Sequence, residues 1–273
     1  MKILIPTDFS PLSKVAVQYA VKLGKKLKAE LVILSVVTLD SSPGRGVLNM
    51  KYLAEKVKEN AVEDCSKLIN EIKSENKGKI TITSQVVTGY SVESMVTDYA
   101  KHHNVDLIVM GTKGATGLKK IMVGSVAAAV IDKSDIPVIA VPEFAQFTKL
   151  KDIVYATDIA NIKKELKTVV SFATYFNAVV HILHIAPSSR ESKLETKQTV
   201  ANLTKAMDYK KITFTVSLHD NAAVGIDEYV LNHKVDMLAM FTHELSFFEK
   251  LFGKSVTRQM AFLGSFPLIA FKK

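Results

Sequence analysis

Hydrophobic positions along the chain fall into short apolar runs separated by segments of helical period. In the first half the runs are KILIP, ELVILSVV, ITITSQVV, DLIVM and PVIAV. Runs this short and rich in Ile, Val and Leu predict strands buried on both faces. The segment SPLSKVAVQYAVKLGKKL between the first two carries a helix signature. Ser10 suits the N-cap, Pro11 the first turn, and lysines crowd the C-terminal end. KYLAEKVKENAVEDCSKLINEIKS predicts a second helix. Strands alternating with helices predict parallel β-α-β units with right-handed crossovers, a doubly wound α/β fold.

The pattern then repeats. MKILIPTD (1–8) is an apolar run ending in Asp, and DIVYATDI (152–159) has the same shape, so that Asp8 falls on Asp158 at an offset of 150. VDLIVMGT (105–112) is echoed by VDMLAMFT (235–242), and DIPVIAV (135–141) by SFPLIAF (265–271), both at an offset of 130. Tyr99 then falls on Tyr229. A repeat this long is a domain duplication. It predicts two tandem doubly wound parallel-sheet domains of about five strands each, 1–146 and 147–273, with the boundary near PEFAQFTKLK (142–151). The change of offset leaves about twenty extra residues in the first half, and SSPGRGVLNM (41–50) is the stretch expected to hold much of them. It follows Val36 on the strand-end rim, which suits a lid over a bound ligand; ordinary variation in loop length would explain it equally.

Composition narrows the class. The chain has 273 residues, 48% of them hydrophobic, enough for a full core. Cys65 is the single cysteine, so no internal disulfide forms and a cytoplasmic setting is expected. Cys65 lies among apolar residues at helical spacing and reads as core. The N-terminal stretch meets a charge at Asp8 and has no signal-peptide pattern. Thr168 to Ser189 is uncharged, but Asn177, His181 and His184 interrupt it, and it divides into a helix end and a strand rather than a membrane span. A formal net charge of +9 suits anionic ligands. The lysines are scattered rather than interleaved with aromatics, which argues against nucleic acid.

Candidate chemistry gathers at strand ends, where open α/β sheets bind ligands. PTD (6–8) ends the first strand, and GTKGATGLKKIMVGSV (111–126) follows the fourth. Gly111, Gly114, Gly117 and Gly124 give that loop four of the chain's twelve glycines, which suits close approach of a ligand to bare backbone. Gly124 and Ser125 open a helix, and a helix N-terminus holds phosphate. Asp8 could accept from ribose hydroxyls or simply cap the helix after it. The loop fits neither G-x-G-x-x-G nor G-x-x-x-x-G-K-[ST], and FGKS (252–255) lacks the earlier glycine of a P-loop. It does fit G-x2-G-x9-G-[ST], through Gly111, Gly114, Gly124 and Ser125.

With that motif, the PTDFS opening and the closing strand after Pro137, the chain resembles the universal stress protein family in its tandem two-domain, Rossmann-like (HUP-like) form. The resemblance implies an ATP-binding stress-response protein, a nucleotide-dependent regulatory or interaction module, with ATP and magnesium as cofactors. It implies phosphate and ribose contacts from the loop, and base and sugar contacts from the ends of strands one and two. The residues so implicated are Pro6, Thr7, Asp8, Val36, Met110, Gly111, Gly114, Gly124, Ser125 and Val126. It also implies that the closing strands VIAV (138–141) and LIAF (268–271) pair as an intramolecular pseudo-dimer, with a further homodimer left open. A slow ATPase timer and a nucleotide-free scaffold are the alternatives; no catalytic constellation stands out, and the protein partner is not named by the sequence.

The second half departs from the pattern. Gly111, Gly114, Gly117 and Gly124 become Phe241, Glu244, Phe247 and Lys254, and only Ser255 remains. Side chains are expected to fill the phosphate space there, making this a degenerate domain without ATP. His219, Asp220, His243 and Glu244 have residue types that suit zinc, but their spacing matches no known site, and no metal is expected.

Overall fold

The computed structural model describes residues 1–38, 47–112, 124–187, 192–205, 207–242 and 266–272. The chain divides into two compact units, Met1–Gln146 and Phe147–Lys273. In the first, β1 (Lys2–Pro6), α1 (Pro11–Leu27), β2 (Glu30–Thr38), α2 (Val47–Glu75), β3 (Ile82–Gly89), α3 (Val92–His102), β4 (Leu107–Gly111), α4 (Ser125–Lys133) and β5 (Val138–Val141) alternate along the chain. The strands are all parallel, in the order β3-β2-β1-β4-β5. The second unit runs β6 (Asp152–Ala156), α5 (Ile162–Thr174), β7 (Val179–Ala186), α6 (Ser192–Lys205), β8 (Ile212–Leu218), α7 (Ala222–Asn232), β9 (Met237–Thr242) and β10 (Leu268–Lys272). Its order, β10-β9-β6-β7-β8, is again all parallel. The expected doubly wound α/β class is what the chain adopts.

Local chemistry explains the elements. Ser10 caps α1 by accepting from the Ser13 N–H, Pro11 opens the helix, and Lys25 and Lys26 lie in its last turn. The inner strands are mostly apolar because helices cover both faces; Ile3, Leu4, Ile5, Leu31, Ile33 and Ile108 are fully buried. The outermost strands β3 and β8 mix buried with exposed positions. Gly24 lets α1 approach β2: a Cβ there would lie 2.6 Å from Leu31 Cδ2. Cys65 is buried in α2, and burial raises its thiol pKa, as befits a core cysteine.

The insertion is located differently from the sequence expectation. Helix α2 spans 29 residues and its counterpart α6 spans 14, so most of the extra length is helix. Residues 47–50, read as part of a loop, form the first turn of α2. The helical period simply extends upstream into VLNM. The rest of the suggested lid, 41–46, lies outside the described residues.

The duplication is visible in matched hydrogen bonds. Asp106 accepts from the Lys2 N–H at 2.7 Å and Asp236 from the Asp152 N–H at 2.9 Å. Tyr99 stacks on His103 with centroids 3.9 Å apart, and Tyr229 stacks on His233 at the same 3.9 Å. The matched helices differ at one such position, where α7 has Asp227 and α3 has Thr97. Asp227 in α7 is partly buried, and its Oδ1 finds no hydrogen-bond partner among the described residues. Burial first, and the Glu228 carboxylate second, raise its pKa. The folded chain therefore holds this proton more tightly than the unfolded chain, and stability falls as pH rises through the raised pKa. Asp227→Asn is expected to stabilise the second unit at pH 7 by about 0.5 kcal/mol, a small gain because the group is screened. Below about pH 3, where both states are protonated, the gain should vanish. Urea unfolding of both chains at the two pH values checks this.

Candidate functional site

In the first unit the chain order reverses across the sheet between β1 and β4, the place where doubly wound sheets leave a crevice. A cleft of about 270 Å³ opens there. Pro6, Thr7 and Asp8 reach it from the end of β1, Val36 from β2, Met110 and Gly111 from β4, and Gly124, Ser125 and Val126 from the start of α4. Nine of the ten residues singled out from the sequence thus line one cleft; the tenth, Gly114, lies outside the described residues, as do Lys113, Gly117, Lys119 and Lys120. Ser13, Leu34, Val92, Thr112 and Ala127 line the same cleft and were not singled out. Leu34 and Thr112 adjoin named strand ends, so strand alternation could have found them. Ser13 follows the N-cap Ser10 by three residues, and only that cap spacing pointed to it.

The β1 end is a tight polar turn. Asp8 Oδ1 accepts from the Ser10 N–H at 3.1 Å, and Thr7 Oγ1 from the Phe9 N–H at 3.1 Å. Phe9 takes a left-handed φ of 60°, and the two side-chain hydrogen bonds hold it there. Thr7 Oγ1 and Ser13 Oγ are 2.9 Å apart, and Ser13 Oγ donates to the Ser10 carbonyl at 3.0 Å. Both hydroxyl residues are largely buried. The Asp8 carboxylate thus has a turn-making role whatever the cleft holds.

The α4 end is of opposite polarity. Gly124 is the N-cap, and among the described residues no side chain caps the helix there. The Gly124 N–H bonds the Thr112 carbonyl, which ties the helix start to the end of β4. Gly124, Ser125, Val126 and Ala127 of this first turn line the cleft, and no side-chain acceptor among the described residues caps it, the arrangement in which a helix N-terminus holds an anion. By contrast α1, α3 and α7 are capped by Ser10, Ser91 and Asn221.

The second unit repeats the turn but changes what lies beneath it. Thr157 Oγ1 accepts from the Ile159 N–H, Asp158 Oδ1 from the Ala160 N–H, and Ile159 has φ 63°. Under the turn, Tyr155 takes the place of Ile5. Its hydroxyl lies 2.5 Å from Glu165 Oε2 and 3.0 Å from Thr157 Oγ1. Burial, and then the Glu165 contact, raise the phenol pKa far above its ordinary value. Phe241, the counterpart of Gly111, is buried, with its ring stacked on Phe271 at 5.2 Å and edge-on to Tyr155. Loss of that glycine therefore serves a core aromatic cluster, whereas the sequence reading placed such side chains in phosphate space. Glu244, Phe247, Lys254 and Ser255 lie outside the described residues. Among the described residues no three His, Cys, Asp or Glu side chains gather as metal ligands. His219 Nδ1 instead accepts from the Asn221 N–H, and His243 is not described. No described helix is long and apolar enough to cross a membrane.

Comparison with known proteins follows the same division. The universal stress protein MJ0531 of Methanocaldococcus jannaschii is 35% identical over 143 residues, covering 51% of this chain and 81% of that protein. MJ0577 of the same organism is 33% identical over 153 residues, covering 51% of this chain and 93% of that protein. A solved universal stress protein from Archaeoglobus fulgidus matches the whole chain and 96% of its own, with a TM-score of 0.68 at 17% identity, a likeness of fold. The family model for universal stress proteins matches residues 1–142. With the β1 turn, the cleft at the β1–β4 crevice and these relatives in agreement, the chain belongs to the universal stress protein family.

Proposed function

We propose that the first unit binds one adenine nucleotide, ATP with its magnesium, in the β1–β4 cleft, and that the protein works as a nucleotide-dependent regulatory or interaction module in the stress response. The observation that carries this reading is the pairing of two unlike poles in one cleft. Oxygen acceptors gather at the end of β1, and the uncapped N-terminus of α4 supplies N–H donors at the other side. A nucleotide has hydroxyl and amino donors at one end and phosphate acceptors at the other, so its polarity matches. Magnesium would come with the phosphates, which supply most of its oxygen ligands.

The second unit is proposed as a degenerate partner without ATP, since its sequence keeps only Ser255 of the motif. The proposal expects isothermal titration of the full chain with ATP and magnesium to give one site per chain. Two equivalent sites would overturn the assignment of the second unit, and no heat at millimolar ATP would leave the scaffold alternative standing. Phosphate release by the purified chain separates a module that only binds from a slow ATPase.

A further inference from the structure

The hydroxyl protons around the β1 turn have only one consistent arrangement. Ser13 carries a single O–H, and the Ser10 carbonyl, which can only accept, takes it at 3.0 Å. The 2.9 Å contact between Ser13 Oγ and Thr7 Oγ1 must then be a donation from Thr7. Thr7 Oγ1 in turn accepts from the Phe9 amide. The relay runs from the Phe9 N–H through the Thr7 hydroxyl and the Ser13 hydroxyl to the Ser10 carbonyl. Both O–H groups are used up inside the protein. Each oxygen keeps one lone pair, and both residues line the cleft.

We infer that Thr7 and Ser13 form an acceptor-only pole that selects for a hydrogen-bond donor on the ligand, an amino or hydroxyl group, and rejects a carbonyl or phosphate oxygen at that place. This deepens the nucleotide reading given above and rests on it. It assigns a specificity-determining part to Ser13, which neither the motif nor the strand ends include. The second unit shows that the relay is not obligatory. There Thr157 Oγ1 accepts from both the Ile159 N–H and the Tyr155 hydroxyl, and that hydroxyl also bonds Glu165, inside the core. Position 163, which corresponds to Ser13, is Lys163. Among the described residues it is the first unit whose relay runs along a cleft wall.

Ser13→Ala makes the polarity testable. It removes one acceptor and releases the Thr7 proton, so that Thr7 can donate into the cleft. The pole changes from accepting to mixed. The experiment is titration of the unaltered chain and of Ser13→Ala with ATP, with ITP, in which a carbonyl replaces the 6-amino group, and with 2′-deoxy-ATP and 3′-deoxy-ATP, each of which lacks one hydroxyl. In the unaltered chain, the analogue that lacks the donor read by the pole is expected to bind about 3- to 10-fold more weakly than ATP. A loss with ITP identifies the base amino group, and a loss with a deoxy analogue identifies a ribose hydroxyl. In Ser13→Ala that preference should disappear or reverse. Equal binding of all four nucleotides to the unaltered chain overturns the inference without any variant. So does a preference that Ser13→Ala leaves intact. Failure of ATP itself to bind overturns the nucleotide reading and this inference together.

Discussion

Titrated with ATP, the Gly114→Val chain is expected to bind about a hundredfold more weakly than the unaltered chain while both units stay folded. On the nucleotide reading proposed above, this glycine of the G-x2-G-x9-G-[ST] motif is where phosphate would lie against bare backbone. A branched side chain there would exclude two or so charge-assisted hydrogen bonds to the phosphates, each worth about 1.5 to 3 kcal/mol, and a combined loss of about 3 kcal/mol is a hundredfold. The change spares the described core, so far-UV circular dichroism and the urea midpoint should be unaltered. Unchanged affinity would remove the loop from the binding site.

The largest effect on stability is expected in the other unit. Tyr155→Phe keeps the ring that packs on Phe241 but deletes the hydroxyl joining Glu165 to Thr157. Tyr155 is fully buried and Glu165 is 2% exposed, so a buried carboxyl loses a short hydrogen bond in a place water does not reach. A loss of about 2 to 4 kcal/mol follows. It should be confined to the second unit, since β1 has Ile5 at the matching place. Hydrogen exchange in β6 and α5 would locate it. Adding Glu165→Leu to Tyr155→Phe should restore part of the loss, because both partners of the buried contact are then removed together. A single variant as stable as the parent would show that the short contact contributes little.

The elements that sequence reading located best are those with local signals. Ser10 and Pro11 marked the start of α1, and Gly124 with Ser125 the start of α4, as observed. Apolar runs marked the strands of the first unit, most clearly the inner ones, which are buried on both faces, and less clearly the outer β3 with its Thr83, Ser84 and Gln85. The start of α2 was missed because proline and glycine at 43–46 drew the boundary past Val47. The cleft wall was legible where it coincided with strand ends. The hydroxyl relay was not: Thr7 and Ser13 are six residues apart across a turn, and no periodicity couples them. The Tyr155–Glu165 contact was hidden in the same way, since Tyr155 sits in an apolar run and reads as one more core residue. Pairings made through space leave no spacing rule to read.

The turn after the first strand of each unit bears on design. One chain holds two copies of Thr-Asp followed by a left-handed residue, with the same pair of side-chain bonds in each. Only one copy is followed by the full glycine motif. The turn is thus kept where the glycines are not, so as a folding device it does not depend on the motif that follows it in the first unit. The second unit therefore offers a frame, the same turn on the same kind of parallel sheet, onto which the glycine motif of the first could be grafted without redesigning the strands beneath it.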